Sequence, residues 1–237
     1  ARMYAVPNAF AVFSKVAGKK QRESVLKNFR RLKTDIGYKL FLPSFRGDVS
    51  NVGRIACGDV AEGLLGNSTV YNHGSQGFLC RACCAAGEGK MAEDVLRFLL
   101  PYDQSCHAEE ETCSPPYAIV NCYQDVPPFK QRAGFAFLTG TVAMAVRIVY
   151  NFMFGIRPCI EGIAVNPCLT VNFDDAHVVY NYNGRTLFFH YKKTGKLSIV
   201  VNGTACESVV SDVLSGDILP LIHEHLLEDG TKIEICY

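Results

Sequence analysis

The sequence predicts a helical segment over residues 1–157 followed by a β-stranded one over 158–237. Three observations carry this. Apolar residues recur at helical spacing up to about residue 155, the period moves towards two after Pro158, and Asn183-Gly184 and Thr194-Gly195 mark tight turns beyond it. The composition shift at Arg157-Pro158 sets the expected domain boundary.

Asn8 is placed to cap a short apolar helix running to about Ala17, with Gly18 as its stop. Val25, Leu26, Phe29 and Leu32 then share one face, with Lys and Arg opposite. Residues 37–69 carry glycines and little periodicity, and a loop of that length in a compact domain is usually functional. Helical spacing returns at Phe78, Leu79, Ala82, Cys83 and Ala86, and again at Met91, Val95, Leu96 and Leu99. Gly87-Glu88-Gly89 is the turn of that helical hairpin. Residues 102–135 read as irregular, with Glu109, Glu110 and Glu111 as a solvated acidic loop. The most apolar stretch, 139–156, reads as a buried helix. At about 17–18 residues, interrupted by Arg147 and Asn151, it is a poor membrane span. Beyond it, 160–165, 177–182, 186–191, 197–201 and 232–236 read as the strands of a small β-sandwich.

With 237 residues and 49% hydrophobic side chains, the chain can bury a large domain and a small one. A net charge of +1 gives no footprint for nucleic acid. Eleven cysteines, an odd number with no secretory leader, point to reduced thiols in a cytoplasmic setting. Cys80-x-x-Cys83-Cys84 is half a zinc knuckle, but no second pair of matching spacing follows. Cys106, His107 and Cys113 would complete it only by accident of folding, so no metal site is expected. His223-Glu224-His225 lacks helical ligand spacing and reads as surface.

No Walker loop, dinucleotide fingerprint, Gly-x-Ser-x-Gly or His-Glu-x-x-His occurs. Two places remain for chemistry. Val70-Tyr-Asn-His-Gly-Ser75 and Leu138-Thr-Gly-Thr141 each lie where an irregular stretch enters a helix. Small residues and hydroxyls there expose backbone N–H groups at the positive end of the helix dipole, which favours an anion. Against this, Thr139 serves equally as a plain N-cap and His73 as a packed loop histidine.

These segments resemble the C-terminal part of the inverting disaccharide phosphorylases of glycoside hydrolase family 94. The likeness runs in order through Asn51-Val-Gly-Arg-Ile55, the two segments above, Gly155-Ile-Arg-Pro158 and Glu161-Gly-Ile-Ala-Val-Asn-Pro-Cys168. It spans about Pro7 to Gly203. The resemblance implies the last helices of an (α/α)₆ barrel over 1–157 and a β-sandwich over 158–237. It implies a phosphate held by His73, Thr139 and Gly140, with Asn67, Tyr71 and Asn121 as sugar contacts. The reaction implied is attack of inorganic phosphate on a β-linked disaccharide or oligoglucan, giving an α-sugar 1-phosphate by inversion. Phosphate replaces the activated water of an inverting hydrolase, so the second carboxylate is unnecessary. Phosphate is a co-substrate, no cofactor or metal is called for, and similar enzymes are often homodimers.

The sequence also departs from the family. The general acid, an Asp in an Asp-Trp-Asn-Asp-like segment, has no counterpart here, and Asp48, Asp59 and Asp125 are not promoted to the role. Acidic residues expected just before Asn67 and just before Pro116-Tyr117 appear as Gly66 and Pro115. With Ala1 in place of an initiator methionine, the expectation is an inactive fragment of a larger enzyme. Two alternatives stand beside it. One is a non-catalytic glycan-binding or interaction module. The other is the phosphorylase-like domain of a cyclic β-glucan synthase, suggested by Val126-Pro-Pro128 and Arg132-Ala-Gly134.

Overall fold

The computed structural model describes residues 2–43, 69–103, 105–115, 117–125, 130–134, 136 and 139–237, the side chains of Glu109 and Thr139 excepted. It mixes helices and sheets and divides into two compact units, Ala1–Ile148 and Val149–Tyr237.

The first unit begins with β1 (Met3–Tyr4), α1 (Ala5–Phe13), α2 (Lys19–Phe29), a 3₁₀ turn (Arg30–Leu32), β2 (Lys33–Thr34), β3 (Gly37–Tyr38) and β4 (Phe41–Leu42). It continues with β5 (Val70–Tyr71), a π-helical segment (Asn72–Gly77), α3 (Phe78–Ala85), α4 (Gly89–Leu99) and α5 (Glu109–Thr112). It closes with β6 (Cys122–Tyr123), β7 (Ala133–Gly134) and α6 (Thr139–Arg147). Helix α1 packs on α3, α3 on α4, and α6 on the π segment. Ala9, Leu79, Cys80, Ala82 and Cys83 are fully buried between them. Small side chains on α1 and α3 let the helices approach, and Phe10 and Phe78 meet at 4.8 Å between ring centroids. Lys33 and Tyr38 tie the chain to α4 through Asp94, at 2.7 and 2.6 Å.

Several sequence expectations are corrected here. Tyr4, not Asn8, precedes the first helix; Asn8 lies inside α1 and donates from Nδ2 to the Tyr4 carbonyl at 2.7 Å. The apolar run 9–13 continues back to Ala5, so the helix starts earlier than its first capping side chain suggests. Gly18 does not stop that helix but precedes α2, its N–H donating to Gln21 Oε1 at 2.8 Å. Between its helices and in the stretches expected to be irregular, the first unit has seven two-residue strands among the described residues, too short to leave a period in the sequence. The acidic run at 109–111 forms one helical turn, α5, rather than a loop. The apolar stretch 139–156 is shorter as an α-helix than expected: α6 ends at Arg147 and passes into a π-helical segment, Ile148–Met153. Nor is it buried all round, since Val142 and Val146 are exposed while Ala145 and Ile148 are buried. Among the described residues no helix is long and apolar enough to cross a membrane. The Phe78–Leu99 hairpin forms as expected, with Gly87 at φ +74° in the turn.

The second unit holds two sheets. Its strands are β8 (Ile156–Cys159), β9 (Gly162–Val165), β10 (Ala176–Tyr182), β11 (Arg185–Lys192), β12 (Ser198–Val201), β13 (Thr204–Ala205), β14 (Val209–Ser211), β15 (Ile218–His223) and β16 (Lys232–Cys236). One sheet has the order β10-β11-β16-β12-β13 and the other β14-β15-β9-β8. Alternate residues of both enter one core, Val178, Leu187, Phe189 and Ile235 from the first and Ile163 and Ile222 from the second. Burying each such side chain is worth about 1.5–3 kcal/mol. Asn183 and Gly184, at φ +50° and +78°, make the tight β10–β11 turn. Strands β8, β13, β14 and β15 were not anticipated. Prolines at 158 and 220 and the shortness of β13 and β14 obscure their alternation.

Candidate functional site

Strand β5 runs antiparallel to β6, with Val70 opposite Tyr123 and Tyr71 opposite Cys122, and β6 pairs in turn with β7. This small sheet delivers the chain into the π segment. Buried polar side chains hold that segment in place. Asn72 donates its N–H to the Asn121 carbonyl at 2.7 Å and its Nδ2 to the Val120 carbonyl at 2.8 Å. Its Oδ1 accepts from Gln76 Nε2 at 2.6 Å, and Gln76 Oε1 accepts from the Tyr38 N–H at 3.2 Å. The Ser75 hydroxyl accepts from the Tyr71 N–H at 2.9 Å and lies within donating distance of the Tyr38 and Tyr71 carbonyls. Asn72, Ser75 and Gln76 are fully buried, so each of these bonds repays a desolvation cost. Local π geometry of this kind recurs at functional sites.

His73 stands on this segment, half-buried and edge-on to Phe78, with ring centroids 5.8 Å apart. Facing it is the first turn of α6. A Cβ on Gly140 would lie 3.4 Å from His73 Nδ1 and 3.6 Å from Cε1, so the imidazole rests against the bare backbone of residue 140. A second close approach brings α6 down onto the same segment: a Cβ on Gly77 would stand 2.7 Å from Met144 Cγ. Two glycines, one on each partner, therefore set how near the helix start comes to the histidine.

Of the sequence-predicted residues, the structure brings His73 and Gly140 into contact. Thr139 is the first residue of α6, and its side chain lies outside what is described. Tyr71 adjoins them, its ring folded over Gly74, where a Cβ would overlap it. Asn121 reaches the segment through its carbonyl, bonded to Asn72. Asn67, Gly66, Asp48 and Asp59 lie outside the described residues. Asp125 is paired with Lys39 at 2.7 Å, both largely buried.

Sequence reasoning missed three things. The Asn72–Ser75–Gln76 network was visible only as a polar run. Thr141, in the first turn of α6, has a buried Oγ1 without a hydrogen-bond partner among the described residues. His107 is buried, stacked on Tyr123 at 3.9 Å and bonded through Nε2 to the Phe98 carbonyl at 2.8 Å. Burial holds its pKa below the ordinary value. It does not gather with Cys80, Cys83, Cys84, Cys106 or Cys113 into a metal site, and all the described cysteines are free thiols.

A histidine on a rigid turn against the amino end of a helix is an arrangement suited to an anion. Residues 1–155 match the family model of the glycosyl hydrolase 94 superfamily, catalytic domain, and the chain belongs to that family. Its relatives include solabiose phosphorylase of Paenibacillus borealis, 25% identical over 94% of this chain and 28% of the relative. N,N'-diacetylchitobiose phosphorylase of Vibrio furnissii is 25% identical over 85% of this chain and 26% of its own length. Cellobionic acid phosphorylase of Neurospora crassa is 26% identical over 97% of this chain and 28% of its own length. The chain thus spans little more than a quarter of these relatives.

Proposed function

We propose that the chain carries the phosphate-binding part of a glycoside phosphorylase that cleaves a β-linked disaccharide or oligoglucan into an α-sugar 1-phosphate by inversion. The observation that carries this reading is the packing of His73 against Gly140 at the start of α6. The His73 imidazole, the Thr139 hydroxyl and the Gly140 N–H are the donors, and the helix dipole adds to them. A dianion so held is oriented for in-line attack on the anomeric carbon, without a general base. Tyr71, Asn121 and Asn67 are the sugar contacts of this reading. The proton for the leaving oxygen comes from a carboxylic acid outside residues 1–237, so this chain alone does not turn over. The helices of the first unit belong to an (α/α)₆ barrel and the two sheets of the second to a β-sandwich. Free thiols support a cytoplasmic enzyme; a homodimer rests on the resemblance alone. Phosphate is the co-substrate, and no cofactor takes part.

Calorimetric titration of the purified chain with inorganic phosphate tests the reading. Saturable binding that is lost in His73→Ala and in His73→Ala/Thr139→Val is expected. A folded chain that binds no phosphate but retains an oligosaccharide would make it a glycan-binding module instead.

A further inference from the structure

The outer face of the five-stranded sheet carries a cluster of metal-ligating side chains, independent of the phosphate reading. Strands β10 and β11 pair in a register that puts His177 directly opposite His190. On β10 the inward residues are Val178 and Tyr182; on β11 they are Leu187, Phe189 and Tyr191. Both histidines therefore stand on the outer face, their rings stacked at 4.1 Å and 11°. Asp175, just before β10, turns the chain at φ +62°. The neighbouring Asp174 pins this turn by accepting the Lys193 N–H at 2.7 Å. The Asp175 carboxylate consequently lies 2.5 Å from His190 Nε2 and 4.0 Å from His177 Nε2.

We propose that Asp175, His177 and His190 form a binding site for a transition-metal dication of the zinc type, on the edge of this sheet. One ligand atom from each residue lies within 4.8 Å of the others. Tetrahedral zinc, with bonds of about 2.0–2.2 Å, needs separations of about 3.3–3.6 Å. The side chains of Asp175 and His177 are 78% and 68% exposed, so small rotations can draw His177 in and move the Asp175 carboxylate back from His190 to those separations. Two imidazoles and one carboxylate suit zinc better than magnesium or calcium, which prefer all-oxygen sets. On binding, the metal takes the place of the hydrogen bond between Asp175 and His190, any Nε2 proton leaving to solvent, and water completes its shell. Glu234 lies beside His190 in β16 but is held by Lys192 at 2.9 Å, so it stands next in line rather than as a ligand. Because β10 is the edge strand of its sheet, the metal would staple it to β11.

The test is calorimetric titration of the full chain with zinc chloride, together with cobalt(II) absorption spectroscopy. One equivalent bound is expected, with d–d bands of nitrogen and oxygen ligation and no thiolate-to-metal charge transfer. His177→Gln and Asp175→Asn, both at exposed positions, should each weaken uptake by roughly tenfold or more. His223→Gln/His225→Gln should leave it unchanged. Absent saturable uptake, a charge-transfer band from cysteine, or uptake indifferent to the His177 and Asp175 changes would each overturn the site.

Discussion

The imidazole of His73 lies against the backbone of Gly140, with 3.4 Å between Nδ1 and the place a Cβ would take. A Cβ there would stand at the near edge of ordinary van der Waals contact with the ring, so residue 140 is where a small change in side chain meets the histidine. Gly140→Ala therefore separates stability from binding. Alanine in a helix gains about 0.5–1 kcal/mol over glycine. The added methyl group, however, fills the space between the ring and the helix start. Melting temperature should stay level or rise while phosphate affinity falls roughly tenfold. Parallel losses in both would mean that the contact only serves packing.

Thr141 occupies the same turn with its hydroxyl buried and without a partner among the described residues. Valine has nearly the same shape and no hydroxyl to desolvate. Thr141→Val should raise unfolding free energy by about 1 kcal/mol. Phosphate affinity should not change, because the donors of the proposed cradle are at 73, 139 and 140. Urea denaturation of the variant reads the first effect and calorimetry the second.

The approach of α6 to the π segment has its own dependence on Gly77. Adding a Cβ there places it 2.7 Å from Met144 Cγ and 3.3 Å from the Asn72 carbonyl. Gly77→Ala should cost about 1–3 kcal/mol through overpacking. Met144→Ala in the same chain should recover part of that loss. A double-mutant cycle by chemical denaturation measures the coupling, and strict additivity would rule out the clash.

How far these relationships were legible depends on what made them. His73 and Thr139-Gly140 could be read because helix starts leave a local mark of small and hydroxylated residues. The contact between them could not, since 67 positions separate His73 from Gly140. Strands such as β10, β11 and β16 alternate over five residues or more, and their period survives in the sequence. The two-residue strands of the first unit have no period to find. Asn8 misled because a capping residue type also fits inside a helix, where its amide here bonds back to Tyr4. Asn72 and Gln76 were unremarkable as residues. Their role comes from partners at Tyr38, Val120 and Asn121, far away in the chain.

His107 gives the chain an acid-side dependence. It is buried and its pKa is held below the ordinary 6.5, chiefly by desolvation, with the Phe98 carbonyl acting against this. The folded state then binds fewer protons than the unfolded one. Its contribution is complete above about pH 6.5 and is lost as pH falls through the lowered folded value. Urea midpoints of the wild type should fall from pH 7 towards pH 5. In His107→Gln, which can still donate to the Phe98 carbonyl, that slope should flatten. An unchanged slope would assign the acid sensitivity to carboxylates.

The register that opposes His177 to His190 is set at the other end of the hairpin. Asn183 and Gly184 both have positive φ, the pattern of a two-residue turn whose twist matches the strands. A β-branched residue in that region costs about 1–2 kcal/mol. Gly184→Val should therefore lower unfolding free energy by that amount, and Asn183→Gly should leave it nearly unchanged. Hydrogen exchange gives the sharper reading. If the turn governs pairing, Gly184→Val should accelerate exchange at β10 and β11 while the β12–β16 pair keeps its protection, because β16 bonds to β12 on its far side. Equal acceleration across all five strands would mean that the sheet opens as one unit, with the turn contributing only to its overall stability.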